Sequence, residues 1–343
     1  IRHLEVFANS RGEKQGSLFS ALNRTQTSAG ARLLKSWLCA PLLDQNEISV
    51  RQNEIQMWLE QSAALKIFRS SLAQLGDVER RLGKIHNTTF NARDLSAIAQ
   101  SIAAGEGLHR LHPHKPGHES LELCAGLARK ISAMLNDELP LATKEGGMIR
   151  RGALLALDEL ITLTQDSQKL LLELEVRERE ATGISSLKVR YNSVFGFYIE
   201  LTKTHAHKAP AHYMRKQTLA NAERYTTDEL AVLEEKILSA RSRRDQLEFE
   251  IFSGLRQEVL QHSGELLQLA RLWTRWDGLS SLAWLALERK YCRPRFDDQA
   301  ALHLVRSRHP SVEQEMSGEF VPNTITLQPG SCMLLTGPNM AGK

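Results

Sequence analysis

The sequence predicts a mainly α-helical protein in which two long helical arms carry an inserted β segment and lead into the start of an α/β domain. Apolar residues recur at intervals of three and four over residues 152–182 and 227–262, as they do in long amphipathic helices. Between these helices, residues 187–201 alternate apolar and polar side chains with the period of two of β-strands. The final stretch, Gly337-x-x-x-x-Gly342-Lys343, has the spacing of a phosphate-binding loop.

Length and composition narrow the class of protein. At 343 residues the chain is long enough for two or three domains, each with its own core. No run approaches the roughly eighteen apolar residues of a membrane span. The chain begins at Ile1 with neither a signal peptide nor an initiator methionine, so we expect it to be cut at both ends. Four scattered cysteines predict buried, reduced thiols in a cytoplasmic protein: Cys39, Cys124, Cys292 and Cys332.

Two packed amphipathic helices are predicted near the start of the chain. Thr27 or Ser28 would cap the first helix and Pro41 would stop it, after which Asp44 would cap the second. Their apolar positions at helical spacing are Leu33, Leu34, Trp37 and Leu38, then Ile48, Ile55, Trp58 and Leu59.

The first long helix is predicted to end at Gly183. Glu175 and Arg179 stand four residues apart and are expected to form an ion pair on its solvated side. The charge run Glu173–Glu180 is accordingly interpreted as a solvated helix face.

The inserted β segment is predicted to be a hairpin that turns at Asn192 and Ser193. After it, Thr226 and Thr227 form a good N-cap pair for the return helix, which would span about 50 Å. Two long helices joined by a β insert form an arm with a tip.

This insert is the most basic part of the chain. Between Gly183 and Arg224 there are seven basic residues and only two acidic ones, Glu200 and Glu223. The resulting net charge of +5 exceeds the +4 of the whole chain. Exposed Lys and Arg side chains suit phosphate backbones, which are bound without reading sequence. On charge alone, a solvated basic surface with no partner is the alternative. The basic residues are Lys188, Arg190, Lys203, Lys208, Arg215, Lys216 and Arg224.

Two groups of histidines raise the question of a metal site. No cysteine or carboxylate pair stands at a matching spacing, so the sequence favours histidines in solvated polar loops. The groups are His109, His112, His114 and His118 between Leu108 and Ser120, and His205, His207 and His212 in the insert.

The C-terminal part begins with an apolar stretch, Leu266–Lys290, that predicts another helix pair. Its tryptophans Trp273, Trp276 and Trp284 are interpreted as core anchors rather than as a platform for stacked bases. Further on, Met333–Leu335 predicts a buried strand before the phosphate loop. In that loop the glycines would turn backbone N–H groups toward phosphates, and Lys343 would place a charge on them.

Several strings resemble the MutS family of DNA mismatch-repair proteins, in the family's order and over essentially the whole chain. The longer strings are Thr27–Asp44, Leu187–Glu200, Tyr213–Leu230 and the loop Gly337–Lys343 with its filling Pro338-Asn339-Met340. The shorter ones are Asp77–Leu82, Asn91–Leu95, Tyr291–Phe296, Arg308–Pro310 and Phe320–Asn323.

The resemblance implies a division of the chain into parts of that family. Residues 1–166 would be the first part of a helical core and lever domain, and residues 167–226 a clamp insert with a β-hairpin. Residues 227–290 would be the returning lever helices. Residues 291–343 would be the N-terminal part of a P-loop ATPase domain, truncated after its phosphate loop.

It also implies a function. Such a protein binds mismatched double-stranded DNA and couples ATP binding and hydrolysis to a switch into a sliding clamp. It would work as a homodimer with a MutL-type partner protein in the bacterial cytoplasm, associated with the nucleoid when on DNA. The cofactors would be ATP and Mg²⁺, with the magnesium ligands outside this chain.

The family roles carry over to individual residues. ATP would be held by Gly337, Pro338, Asn339, Met340, Ala341, Gly342 and Lys343, with Phe320 against the adenine. DNA phosphates would be held by Lys188, Arg190, Lys203, Lys208, Arg215 and Lys216.

The family's mismatch-reading motif, the Ser or Thr that closes the phosphate loop and the acidic ATPase residues are not in the sequence. No catalytic set is complete, so we expect the chain alone neither to hydrolyse ATP nor to discriminate mismatches. One alternative is a MutS relative that encircles DNA without reading mismatches. Another is an unrelated P-loop NTPase with a helical arm, which would make no DNA contact at residues 183–224.

Overall fold

The computed structural model describes residues 3–114, 116–142, 146–192, 194, 196–298, 301–316, 318–334 and 336–337. Within them the chain is mainly helical, as predicted. The helices are α1 (Leu18–Leu22), α2 (Ser28–Cys39), α3 (Gln45–Glu60), α4 (Ser62–Leu72), α5 (Val78–Gly83), α6 (Ala92–Leu111), α7 (His118–Met134), α8 (Leu155–Thr182), α9 (Asp228–Gln261), α10 (Ser263–Arg289) and α11 (Pro310–Glu315). None of these helices is both long and apolar enough to cross a membrane.

The strands form two small antiparallel sheets. One has four strands in the order β1-β2-β4-β3, and the other pairs β5 with β6. The predicted hairpin is confirmed as β1 and β2, whereas the sequence reading missed β3, β4 and a 3₁₀ helix between β2 and β3. The strands are β1 (Lys188–Asn192), β2 (Gly196–Thr202), β3 (Met214–Thr218), β4 (Ala222–Thr226), β5 (Leu302–Ser307) and β6 (Asn323–Leu327), and the 3₁₀ helix is Lys203–Lys208.

The described residues divide into two compact units. Unit 1 lies within residues 1–80, 100–125 and 264–343, and unit 2 within residues 81–99 and 126–263. The four segments implied by the family resemblance stay a prediction, because this division follows contacts rather than those boundaries.

In unit 1, local signals begin the helices where the sequence predicted. The Thr27 side chain accepts the Gly30 N–H at 2.9 Å and caps α2, and Asp44 accepts the Glu47 N–H at 2.9 Å and caps α3. α2 ends at Cys39, two residues before Pro41.

The core of unit 1 contains histidines that were expected in a solvated loop. His112 is 5% exposed and stacks on Trp276, with ring centroids 4.4 Å apart. His109 is also buried, and its ring nitrogens lie 3.0 Å from the Gly105 carbonyl and 2.8 Å from the Pro116 carbonyl. The expectation is wrong for this pair, because α6 runs to Leu111, so that His109 lies in its last turn and His112 directly follows it, and both side chains are buried.

The predicted helix pair at Leu266–Lys290 is one continuous helix, α10. Gly278 lies in the middle of this helix and does not break it. Its missing side chain leaves room for the Trp37 ring, which packs close to the helix backbone. Trp273 and Trp276 are buried, which confirms them as core anchors.

Unit 2 is organised around α8 and α9, which run out to the β1–β4 sheet and back. α8 ends at Gly183 with φ +68°, and Thr227 caps α9 by accepting the Leu230 N–H at 3.1 Å, as predicted. Further along α9, the buried Glu248 carboxylate accepts the N–H groups of Gly147 and Met148 at 3.0 Å and 2.7 Å. This carboxylate fixes the segment that leads from α7 into α8.

Two further expectations need correction. Cys124 is buried as predicted, but Cys39, Cys292 and Cys332 are exposed, because they stand at a helix end or in irregular segments. Met333 and Leu334 are 43% and 86% exposed and form no strand, while Leu335 lies outside the described residues. A buried strand needs neighbouring strands, and β5 and β6 pair with each other.

Candidate nucleic-acid interface

One face of the β1–β4 sheet is buried against α8 and α9. Ile199, Leu201 and Tyr225 from the sheet form a cluster with Leu174 of α8 and Leu230 of α9. Because successive side chains of a strand point to opposite faces, the residues between them project away from the helices. We call this second surface the outer face; it comprises Lys188, Arg190, Tyr198, Glu200, Gln217 and Arg224.

Carboxylates on the two helices hold the sheet in place. Glu175 accepts the Val189 N–H at 2.7 Å, and Glu234 accepts the Phe197 N–H at 3.1 Å. The predicted ion pair of Glu175 with Arg179 is present at 2.5 Å. It does not lie on a solvated side, since the Glu175 side chain is only 17% exposed.

Glu178 contradicts the interpretation of Glu173–Glu180 as a solvated face most clearly. It is 8% exposed and accepts the Tyr213 hydroxyl at 2.7 Å. The helical repeat places Glu175 and Glu178 on the same side of α8 as the buried Leu171 and Leu174, so part of the charge run faces the sheet.

Two tyrosine hydroxyls on the inner side of the sheet remain protonated. Burial, together with the hydrogen bond to Glu178, raises the pKa of Tyr213 well above its ordinary value. Burial and the neighbouring Glu223 likewise raise the pKa of Tyr225 to about 12. Both hydroxyls therefore donate hydrogen bonds at neutral pH and add no charge under the sheet.

On the outer face, one carboxylate lies among three cations. The strand register places Glu200 opposite Lys188 on β1 and opposite Arg224 on β4. Arg224 Nε donates to Glu200 Oε2 at 3.4 Å, and Arg190 Nε lies 3.7 Å from Glu200 Oε1. Three positive charges and one negative charge leave the outer face at +2.

The three cations differ in how firmly they are held. The Arg224 guanidinium lies 4.3 Å from the centroid of the Tyr198 ring, and its Nη1 donates to Gln217 at 2.8 Å. Its side chain is therefore only 16% exposed. Lys188 is exposed and the Arg190 side chain is 52% exposed, so these two reach solvent from the outer face.

The other residues predicted to bind DNA are exposed but lie elsewhere on the tip. Arg215 and Lys216 belong to the edge strand β3 at a β-bulge, with Arg215 Nη1 3.5 Å from Glu223 and Lys216 Nζ 3.7 Å from Glu234. Lys203 and Lys208 are the two ends of the 3₁₀ helix. The structure thus brings together Lys188 and Arg190 but not all six predicted residues.

The histidines of the insert form no metal site. His205 Nδ1 lies 3.0 Å from the Thr202 hydroxyl, and His207 and His212 are exposed. In the part of the chain that the structure describes, no three His, Cys, Asp or Glu side chains cluster as metal ligands would.

Of the predicted nucleotide site, the structure describes two residues, Phe320 and Gly337. Phe320 is half-buried and Gly337 is exposed. Pro338, Asn339, Met340, Ala341, Gly342 and Lys343 lie outside the described residues.

Comparison with known proteins supplies a family. A family model described as MutS domain III matches residues 1–283. The chain belongs to this family. The match removes the alternative of an unrelated P-loop NTPase with a helical arm.

Three relatives of this MutS domain III chain are each named DNA mismatch repair protein MutS. The chain is 38% identical to that of Halothermothrix orenii over 99% of its own length and 39% of the relative. It is 42% identical to that of Nostoc punctiforme over 95% of its length and 37% of the relative. It is 40% identical to that of Myxococcus xanthus over 99% of its length and 40% of the relative. The chain thus spans about two fifths of the length of these relatives.

Sequence reasoning missed part of the outer face of this MutS domain III chain. It counted Arg224 in the charge balance but did not select it as a site residue, and it assigned no role to Glu200, Tyr198 or Gln217. The alternation along Glu223–Tyr225 was the available signal, because it places Arg224 on the other face of the strand from its two buried neighbours.

Proposed function

We propose that this chain is the part of a DNA mismatch repair protein that grips the phosphate backbone of duplex DNA with the outer face of its β1–β4 sheet. The observation that carries the proposal is that Lys188 and Arg190 both project to solvent from the same strand, β1, on the face of the sheet that also carries Arg224. The other face of this sheet is buried. Lys and Arg at this position bind phosphates through charge and hydrogen bonds.

Such contacts fix position without reading sequence. The aromatic ring of the outer face, Tyr198, is buried under Arg224 and is therefore not free to stack on a base. The grip therefore acts on any duplex. Reading of a mismatch belongs to another part of the intact protein.

A salt series tests the grip. We would measure binding of the chain to a labelled homoduplex between about 50 and 200 mM salt, beside the variant Lys188→Gln/Arg190→Gln. Each full phosphate contact contributes about −0.9 to the slope of log affinity against log salt, so the variant should lose up to about 1.8 of that slope.

Matched variants locate the effect. Lys66→Gln/Arg80→Gln removes two exposed charges from unit 1 and should leave the slope unchanged. Lys203→Gln/Lys208→Gln removes two from the 3₁₀ helix and reports whether the wider tip contributes. Equal slopes for wild type and the Lys188/Arg190 variant would reject the outer face as the grip.

We also propose the nucleotide and assembly roles that the family implies: ATP with Mg²⁺ at Gly337–Lys343, a homodimer, and a MutL-type partner. The support is the loop spacing and the name of the relatives. Nucleotide binding that Lys343→Ala abolishes would support the ATP site, and turnover above that variant would contradict the expectation that the chain alone is inactive.

The alternative within the family is a protein that encircles DNA without reading mismatches. The outer face suits both versions, because it contacts only backbone. Comparing the affinity of the intact protein for homoduplex and for single-mismatch duplex decides between them. Equal affinities would favour the alternative.

A further inference from the structure

We infer that Glu200 is a built-in competitor for DNA phosphate on the outer face, which weakens the grip so that it can be released and re-formed. The inference rests on the proposed function and adds a regulating residue to the same site. It starts from the one acidic side chain of the outer face, which lies where a phosphate oxygen would be bound.

The contacts of Glu200 resemble those that a phosphate would make. One carboxylate oxygen accepts from Arg224 Nε at 3.4 Å, and the other lies 3.7 Å from Arg190 Nε. Lys188 stands directly opposite in the strand register. Carboxylate and phosphate oxygens use the same donors of arginine, so a phosphate must displace Glu200 or share its partners.

Arg190 is the cation over which the two anions compete. Its separation of 3.7 Å from Glu200 is longer than a good charged hydrogen bond, and its side chain is half exposed. An exposed pair of this kind is weak, so a phosphate can break it. Arg224 has further partners in Tyr198 and Gln217 and stays in place when Glu200 gives way.

Glu200 is not needed to hold the sheet. The inner face supplies the apolar cluster, and the sheet is tied to the helices by Glu175, Glu178 and Glu234. Glu200 is itself on the solvent side, with 23% of its side chain exposed. Its substitution can therefore be read as a change in charge at the grip.

The test is homoduplex binding by the full chain carrying Glu200→Gln, which keeps the shape and one oxygen acceptor for Arg224. The variant should bind DNA about threefold to fivefold more tightly at low salt. The phosphate then no longer has to break the exposed ion pair between Arg190 and Glu200. Its salt slope should steepen by less than about 0.9, the contribution of one full phosphate contact, because Arg190 makes part of that contact in the wild type. The thermal midpoint should stay within about 2 °C of wild type.

Two further variants isolate the mechanism. Glu229→Gln breaks an ion pair with Arg177 elsewhere in unit 2 and should change neither affinity nor slope, although it removes the same charge. In an Arg190→Gln background, the gain from Glu200→Gln should shrink, because the contested cation is gone.

The outcomes separate the two proposals. Weaker or unchanged binding by Glu200→Gln overturns the competitor, and so does an equal gain from Glu229→Gln. The grip itself still stands in either case if Lys188→Gln/Arg190→Gln flattens the salt slope. A slope that this double variant leaves unaltered overturns the grip and the competitor together. Tighter binding with a steeper slope, confined to Glu200→Gln, supports both.

Discussion

The Asp277 carboxylate accepts hydrogen bonds from both the backbone N–H and the hydroxyl of Thr27, at 2.8 Å and 2.7 Å. Its other oxygen accepts the Gln26 N–H at 2.8 Å. Asp277 is fully buried in α10, so a residue some 250 positions later in the chain fixes the N-cap of α2. Burial also raises the pKa of this carboxyl above its ordinary value.

Replacing Asp277 with alanine should destabilise unit 1 by about 3 kcal/mol, because two backbone N–H groups and one hydroxyl lose the buried carboxylate that accepts their hydrogen bonds. Tryptophan fluorescence in a urea titration measures this in unit 1 alone, since Trp37, Trp58, Trp273, Trp276 and Trp284 all lie there. Asp298→Ala, at an exposed carboxylate, should stay within about 0.5 kcal/mol of wild type. Equal midpoints for the two variants would contradict the anchoring role.

His112 predicts a loss of stability on acidification. Burial lowers its pKa from 6.5 to about 4, so the folded state holds the ring neutral. The unfolded chain binds a proton below pH 6.5 and the folded one does not until about pH 4. Stability is therefore complete above pH 6.5 and falls as pH drops through this window, by on the order of 3 kcal/mol.

The check is the unfolding free energy of unit 1 by tryptophan fluorescence at several pH values. His112→Phe keeps an aromatic ring near Trp276 and should reduce the dependence between pH 6.5 and 4, while the buried His109, whose pKa burial also lowers, keeps part of it. His118→Gln, at an exposed histidine, should leave it as in wild type. A pH profile unaltered by His112→Phe would count against the buried neutral ring.

Gly196 is required at the start of β2. Its φ is +72°, and a Cβ there would lie 1.6 Å from Glu234 Oε1, the atom that accepts the Phe197 N–H. Gly196→Ala should therefore destabilise the sheet by about 1 to 3 kcal/mol. Faster hydrogen exchange at Val189 and Phe197, with little change in unit 1 fluorescence, would show it.

Gly126→Ala is the matched control for this substitution. Gly126 is exposed within α7 of unit 2, and nothing lies within 4 Å of the added Cβ. That variant should be stabilised by up to about 1 kcal/mol, because alanine favours helix. Exchange rates in the sheet that are alike in both variants would refute the requirement for glycine.

The thiols should fall into two classes. Burial raises the pKa of Cys124 to about 11, so its thiolate is scarce and shielded at pH 8. A thiol reagent should modify Cys39, Cys292 and Cys332 quickly and Cys124 only on unfolding. Cys124→Ala should leave the fast phase unchanged and remove the slow one; loss of a fast equivalent instead would contradict the burial of Cys124.

The sequence by itself determined the helix ends and the hairpin. Thr27, Asp44, Gly183 and Thr227 act within four residues of themselves, so their roles can be read from neighbours in the chain. The alternation along β1 and β2 is equally local. The family strings added the family of the chain, as the match over residues 1–283 bears out.

Only the tertiary structure decided which polar side chains are buried and which cations share a surface. His112 and Glu178 look solvated in the sequence, yet a ring of Trp276 and a hydroxyl of Tyr213 cover them from distant parts of the chain. Arg224 lies on the outer face because β4 pairs with β2, and this pairing cannot be inferred from a count of charges along the sequence. The physical reason is that burial and electrostatic environment depend on partners brought together by folding, whereas caps and periodicity depend on adjacent residues.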